Sequence, residues 1–256
     1  MDKQINIQEA LDWYILAGVN ETCGDSVGLT STNSGLQKEI SSIVQPIKNN
    51  ISITSSAIVL KNAKEACQKA STLAELKEIM MKFEGCSLKN TAASTVFGDG
   101  NIQTKLMLIG EAPGADEDRI GRPFVGRCGK LLDKMLAAIN LNRNNCYITN
   151  VLPWRPPGNR PPTDDEIAIC LPFLKRQIEL ISPDFLLLLG GIALKSVMDC
   201  ADSISRSRGK WMSYSLTNGK ELQVLATYHP SYLLRSSAQK SKVWTDFIRL
   251  KKKLDE

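Results

Sequence analysis

Short apolar runs alternating with stretches of helical periodicity organise the chain from residue 105 onward. Lys105-Leu106-Met107-Leu108-Ile109 reads as a strand ending at Gly110, and residues 146–150 and 222–227 read likewise. Phe185-Leu186-Leu187-Leu188-Leu189 is apolar at every position, as a strand covered on both faces of a sheet should be. Between these runs the spacing becomes helical: Leu131, Leu132, Met135, Leu136 and Ile139 share one face. Thr163-Asp164-Asp165-Glu166 opens a further helix, to about residue 181, with a capping box and three acids in its first turn. Gly190-Gly191 opens another. The alternation predicts an α/β fold, a three-layer α/β/α sandwich around a mainly parallel four-stranded sheet.

The first part of the chain has a different texture. Residues 5–19 have helical spacing (Ile7, Ala10, Leu11, Tyr14, Ile15, Val19), and residues 20–56 are rich in Ser, Thr, Asn and Gly. That composition cannot build its own core and predicts a linker. Helical character returns over 57–81, where Thr72-Leu73-Ala74-Glu75 fits a capping box. The expected organisation is an N-terminal helix, polar linker and helical extension over 1–80, followed by a catalytic domain over 81–256.

Composition narrows the class. At 256 residues and 43% hydrophobic the chain can bury a full core. No apolar run approaches the ~20 residues of a membrane span. The start, Met1-Asp2-Lys3-Gln4, carries an acid where a signal peptide is basic. The expected location is cytoplasmic and nucleoid-associated rather than secreted, with no membrane partner. Seven cysteines without a C-x-x-C pair read as buried reduced thiols. The net charge of +5 is mild, but Arg235, Lys240, Lys242, Arg249, Lys251, Lys252 and Lys253 crowd the C-terminus. Arg206, Arg208 and Lys210 form a second knot, and such a rim suits a polyanion.

Candidate chemistry gathers at strand ends, where open α/β sheets place their sites. The single histidine, His229, follows the last strand and precedes Pro230. Gly110-Glu111-Ala112-Pro113-Gly114 follows the first strand, with Asp116, Glu117 and Asp118 close behind. This turn lacks Gly-x-Gly-x-x-Gly, and its acids would repel a pyrophosphate, so a dinucleotide loop is disfavoured. Phe124 lies in a loop between Gly121 and Gly126 and offers either a stacking platform or a core plug. Asn150 ends its strand with a donor and an acceptor for a nucleobase edge, or else forms a turn.

Gly-Glu-Ala-Pro-Gly-x-x-Glu-Asp, Gly-Arg-Pro-Phe-Val-Gly, Ile-Thr-Asn-Val, Arg-Pro-Pro-Gly-Asn-Arg and His-Pro-Ser-Tyr-Leu-Leu-Arg occur in that order. Together they resemble the type-4 branch of the uracil-DNA glycosylase superfamily, over residue 80 to the C-terminus. The resemblance implies a monofunctional enzyme that hydrolyses the N-glycosidic bond of uracil in double- or single-stranded DNA, in base-excision repair. Gly110, Ala112, Phe124, Asn150 and His229 would form the uracil pocket. His229 would donate to a uracil carbonyl, and Glu111, supported by Glu117 or Asp118, would stabilise the sugar cation and orient water. Arg155, Ser231, Leu233, Leu234 and Arg235 would meet DNA, the two leucines as an apolar wedge. Alternative readings are a non-catalytic DNA- or uracil-binding module of the same fold, or a glycosylase for other deaminated bases. A monomer is expected, with the N-terminal segment contacting another repair or replication protein.

The branch typically holds a four-iron cluster through four cysteines. The matching positions here are Phe83, Cys86, Trp154 and Cys170. Two ligands are replaced by bulky apolar residues, so no metal or other cofactor is expected.

Overall fold

The computed structural model describes residues 51–256, with side chains from residue 57 onward; the segments read as an N-terminal helix and most of the linker lie outside the described residues. The first described helix, α1 (Ile51–Gln68), begins six residues ahead of the expected start at 57. Ser52, Thr54, Ser55 and Ser56 made this stretch look like linker. Each costs only about 0.5 kcal/mol in a helix relative to alanine, too little to prevent one. Helix α2 (Leu73–Lys82) starts at the expected cap: Thr72 accepts from the Glu75 N–H at 3.2 Å. The Glu75 carboxylate reaches back one residue further than a capping box requires, to the Ser71 N–H at 2.7 Å.

The sheet has six strands, β1 (Asp99–Gly100), β2 (Leu106–Gly110), β3 (Tyr147–Asn150), β4 (Phe185–Leu189), β5 (Trp211–Ser215) and β6 (Glu221–Thr227), in the order β1-β3-β2-β4-β6-β5. The four expected strands form its parallel centre. The expectation of four strands is corrected at both edges, where β1 and β5 pair antiparallel. Two residues of β1 carry no readable pattern, and β5 is half-exposed along its length.

Side chains alternate between the two faces, as strand geometry requires. Met107, Ile109, Leu186, Leu188, Val224 and Ala226 face one core. That core includes α1, α2 and α5 (Asp164–Ile181), through Ala63, Cys67, Leu76, Met80, Phe173 and Ile178. The helices over 51–82, expected as an extension, therefore share the core of the sheet. Arg176 of α5 fastens them further by donating to the Ala70 carbonyl at 2.7 and 3.1 Å. Leu106, Leu108, Ile148, Leu187, Leu189 and Leu225 face the opposite core. It is closed by α4 (Arg127–Ala137), α8 (Pro230–Arg235) and α9 (Lys240–Leu254). The remaining helices are α3 (Ala115–Ile120), α6 (Gly191–Met198) and α7 (Ile204–Ser207). Thr163 caps α5 with Glu166 reciprocating, as its sequence predicts.

One member of the basic knot has a structural task. Asp246 on α9 is fully buried, and its carboxylate accepts from Arg208 at 2.6 and 3.1 Å and from the Thr227 hydroxyl at 2.7 Å. Asp246 thus ties α9 to Arg208 and to Thr227 at the end of β6, while Arg206 and Lys210 stay exposed. Asp246→Ala leaves the guanidinium facing an emptied buried site. Breaking such a pair should lower unfolding stability by about 3–5 kcal/mol, read as a shifted urea midpoint.

Candidate active site

All four central strands point their C-terminal ends the same way, so the turns after β2, β3 and β6 meet at one edge. Gly110 and Asn150 are in register there. The Val151 N–H donates to the Gly110 carbonyl at 2.9 Å and the Leu152 N–H to that of Glu111 at 3.0 Å. Around this edge lies a cavity of about 430 Å³. Glu111, Ala112, Phe124, Asn150, His229, Ser231 and Arg235 all stand on its wall.

Gly110, expected in the pocket, does not line the cavity itself but lies against two residues that do, Asn150 and Phe124. A Cβ there would sit 2.4 Å from Asn150 Oδ1 and 2.5 Å from Phe124 Cζ, so only glycine lets the two side chains converge. Asn150 is 5% exposed, and its Oδ1 is buried without a hydrogen-bond partner. A buried acceptor left unmatched costs roughly 1–3 kcal/mol, which marks it for a ligand donor. Phe124 is also buried, and its backbone is left-handed (φ +54°). A β-carbon in that region costs roughly 1–2 kcal/mol. The surroundings must therefore enforce the conformation, and it brings the ring to 5.6 Å from the imidazole of His229, tilted by 34°.

His229 is the N-cap of α8. Its Nδ1 accepts from the Ser231 N–H at 3.1 Å and lies 2.8 Å from the Ser231 hydroxyl. A backbone N–H can only donate, so Nδ1 must carry a lone pair and the ring proton sits on Nε2. Burial, aided by the positive charge of Arg235, pushes the imidazole pKa down to about 4. The ring is accordingly a neutral donor through Nε2 at physiological pH.

The three acids part company. Glu117 Oε1 accepts from the Val125 and Gly126 N–H groups at 2.9 Å each, and its Oε2 from the Gly114 N–H at 3.1 Å. It clamps the turn after β2 to the Phe124 loop, although it also borders the cavity. Asp118 is corrected outright as a supporting acid: its carboxylate accepts from the Ala93 and Ser94 N–H groups at 2.9 and 3.1 Å, away from the cavity wall. Glu111 has no side-chain hydrogen bond among the described residues, and burial raises its pKa. Of the three, it is the one whose carboxylate is not committed to a backbone N–H. Glu117→Gln keeps the shape but puts an amide where one oxygen must accept. It should lower the melting temperature, as thermal unfolding would report.

The leucine wedge is corrected as well. Leu233 is 1% exposed and packs in the core under α8, whereas Leu234 is 41% exposed. Only Leu234 is free to enter a duplex. Arg155 lies off the cavity wall and donates to Asn159 Oδ1 at 2.8 Å. The wall also contains residues that the sequence reading did not single out: Arg127, Cys128, Asn159 and Arg160. Arg160 is held by Glu166 at 2.5 and 2.9 Å. Its place at the end of Arg-Pro-Pro-Gly-Asn-Arg was the only available signal.

The four cluster positions do not fit four-thiolate ligation. Cys86 and Cys170 are buried free thiols with their sulfurs 3.9 Å apart. Phe83 packs edge-on against Phe173, with centroids 5.1 Å apart. Trp154 is 1% exposed, and its indole N–H donates to Thr95 Oγ1 at 3.0 Å. Neither ring offers a lone pair to iron. Among the described residues, no group of three or more His, Cys, Asp or Glu is placed to hold a metal ion.

Comparison with known proteins agrees with this geometry. The family model described as "Uracil DNA glycosylase superfamily" matches residues 97–248. A type-4 uracil-DNA glycosylase of Archaeoglobus fulgidus is 40% identical over 184 residues, covering 70% of this chain and 92% of the relative. One of Thermotoga maritima is 43% identical over 170 residues, covering 64% and 86%. Another, of Pyrobaculum aerophilum, is 35% identical over 178 residues, covering 68% and 90%. The chain belongs to the uracil-DNA glycosylase superfamily, on its type-4 branch.

Proposed function

We propose that the chain hydrolyses the N-glycosidic bond of uracil in DNA and leaves an abasic site for base-excision repair. The observation that carries this reading is the buried, unpartnered Oδ1 of Asn150, on a cavity wall shared with Phe124 and His229. Uracil presents an N–H donor between two carbonyl acceptors. Its N3–H matches Oδ1, while a carbonyl can receive the imidazole proton donor. Cytosine presents a lone pair at N3, so it would leave Oδ1 facing an acceptor, and an unmatched buried polar group can discriminate by several orders of magnitude.

Rupture of the bond leaves positive charge on deoxyribose and negative charge on uracil. The Nε2–H of His229 stabilises the departing anion without first being charged, because the donor is present in the neutral ring. Glu111 lies on the same wall, where its carboxylate stabilises the sugar cation and takes a proton from the attacking water. Phe124 stacks on the extruded base, and Leu234 fills the stack that the base leaves. Flipping costs a few kcal/mol, comparable to what a wedge and a fitted pocket supply. The full constellation lies on one chain, which supports action as a monomer.

The test is conversion of a uracil-containing oligonucleotide, single- and double-stranded, to alkali-labile abasic product. Product from uracil substrate and none from a cytosine control is expected; absence of product from both the single- and the double-stranded uracil substrate would defeat the reading. The fillings at Phe83 and Trp154 further support a protein that works without a four-iron cluster. Anaerobically purified protein should contain no stoichiometric iron or acid-labile sulfide, and four iron atoms per chain would refute this.

A further inference from the structure

Phe124 occupies a backbone conformation that phenylalanine does not choose, and a side chain remote in sequence surrounds its carbonyl. Arg143 stands at the start of the single turn Arg143–Asn145 that leads into β3. Its Nη1 donates to the Pro123 carbonyl at 3.0 Å, and its Nη2 donates to the Phe124 carbonyl. The same guanidinium is oriented by two carboxylates: Asp99 Oδ2 accepts from Nη1 at 3.0 Å and Asp133 Oδ1 from Nε at 3.0 Å. Asp99 is itself anchored by Arg122 at 2.9 Å. On its other side the Phe124 carbonyl presses on α4 at Gly129, where a Cβ would come within 1.6 Å of the oxygen. The carbonyl is thus held between a helix turn without a side chain and a planar fork of donors. Arg143 itself is not on the cavity wall.

We infer that Arg143 is a positioning residue for uracil excision, holding Phe124 in the left-handed conformation that presents its ring to the base. This rests on the reading of Phe124 as the stacking platform. The fork is essential to the arrangement, since two adjacent carbonyls and two carboxylates must be bridged at once. A lysine ammonium keeps the charge opposite Asp99 and Asp133 but cannot span that set.

The experiment is a double-mutant cycle on the full chain with R143K and Phe124→Ala. It is read as single-turnover excision and as inhibition by free uracil, with thermal melts alongside. Phe124→Ala comes first: wild-type excision in that variant removes the platform reading, and this inference with it. If the platform reading stands, R143K should melt near wild type, excise roughly 10- to 100-fold more slowly and be inhibited by uracil correspondingly less. In the Phe124→Ala background R143K should then cost almost nothing, because its effect passes through the ring. Wild-type excision and uracil inhibition in R143K, or costs that simply add in the double variant, overturn the inference. Failure of both R143K and R143Q to fold also overturns it, by showing Arg143 to be a staple of the fold instead.

Discussion

His229→Ala is expected to lower the single-turnover rate of uracil excision by roughly 10²- to 10³-fold, the usual cost of removing one donor aimed at a developing oxyanion. Binding of uracil-containing DNA should fall much less, because the interaction strengthens only as charge reaches the base. The pH dependence separates this role from acid catalysis by an imidazolium. With the pKa held down to about 4, the ring is neutral from pH 5 to 8, and its Nε2–H is present throughout. Excision should therefore show no His229-dependent limb near pH 6.5. Stability follows the same group. Its folded pKa lies below the unfolded value of 6.5, so the contribution is fully present above pH 6.5 and lost as pH falls towards 4. The difference is about 3 kcal/mol at most. His229→Gln should flatten the stability profile in that window, as thermal melts from pH 4 to 7 would report. An excision limb near 6.5 that disappears in His229→Gln would contradict the neutral-donor account.

Asn150→Ala is expected to cost about as much, roughly 10²-fold or more, but with a different signature. The substitution removes the acceptor for the uracil N3–H and opens space above Gly110, which now touches the Asn150 amide. Binding of the base itself should suffer. Inhibition by free uracil should disappear in Asn150→Ala, whereas His229→Ala should retain part of it. The fold should tolerate the change well, since the amide oxygen has no protein partner to lose. Unaltered uracil inhibition in Asn150→Ala would place the base edge elsewhere.

Much of this site was legible because Glu111, Asn150 and His229 end or closely follow strands. An all-apolar run such as Phe185–Leu189 declares a buried strand, and the parallel order then places Glu111, Asn150 and His229 at one edge. What escaped depended on partners distant in sequence. Asp118 and Glu117 are neighbours and chemically alike, yet one is spent on N–H groups at residues 93 and 94 and the other on those at 114, 125 and 126. Leu233 and Leu234 carry the same side chain in a six-residue helix. Only the packing of α8 against α4 and α9 determines which is buried. Arg143 lies 19 residues beyond the phenylalanine it grips, in a stretch with no periodic signal. The edge strands were missed because half-exposed sheet margins lack an apolar run.

His229 closes the first turn of the helix that also carries Leu234 and Arg235. On the proposed reading, the residue that would polarise the leaving base and the residues that would meet the duplex share one short helix. The bond from the Ser231 N–H to Nδ1 fastens the imidazole to that helix. A duplex that shifts the helix would therefore shift the proton donor with it.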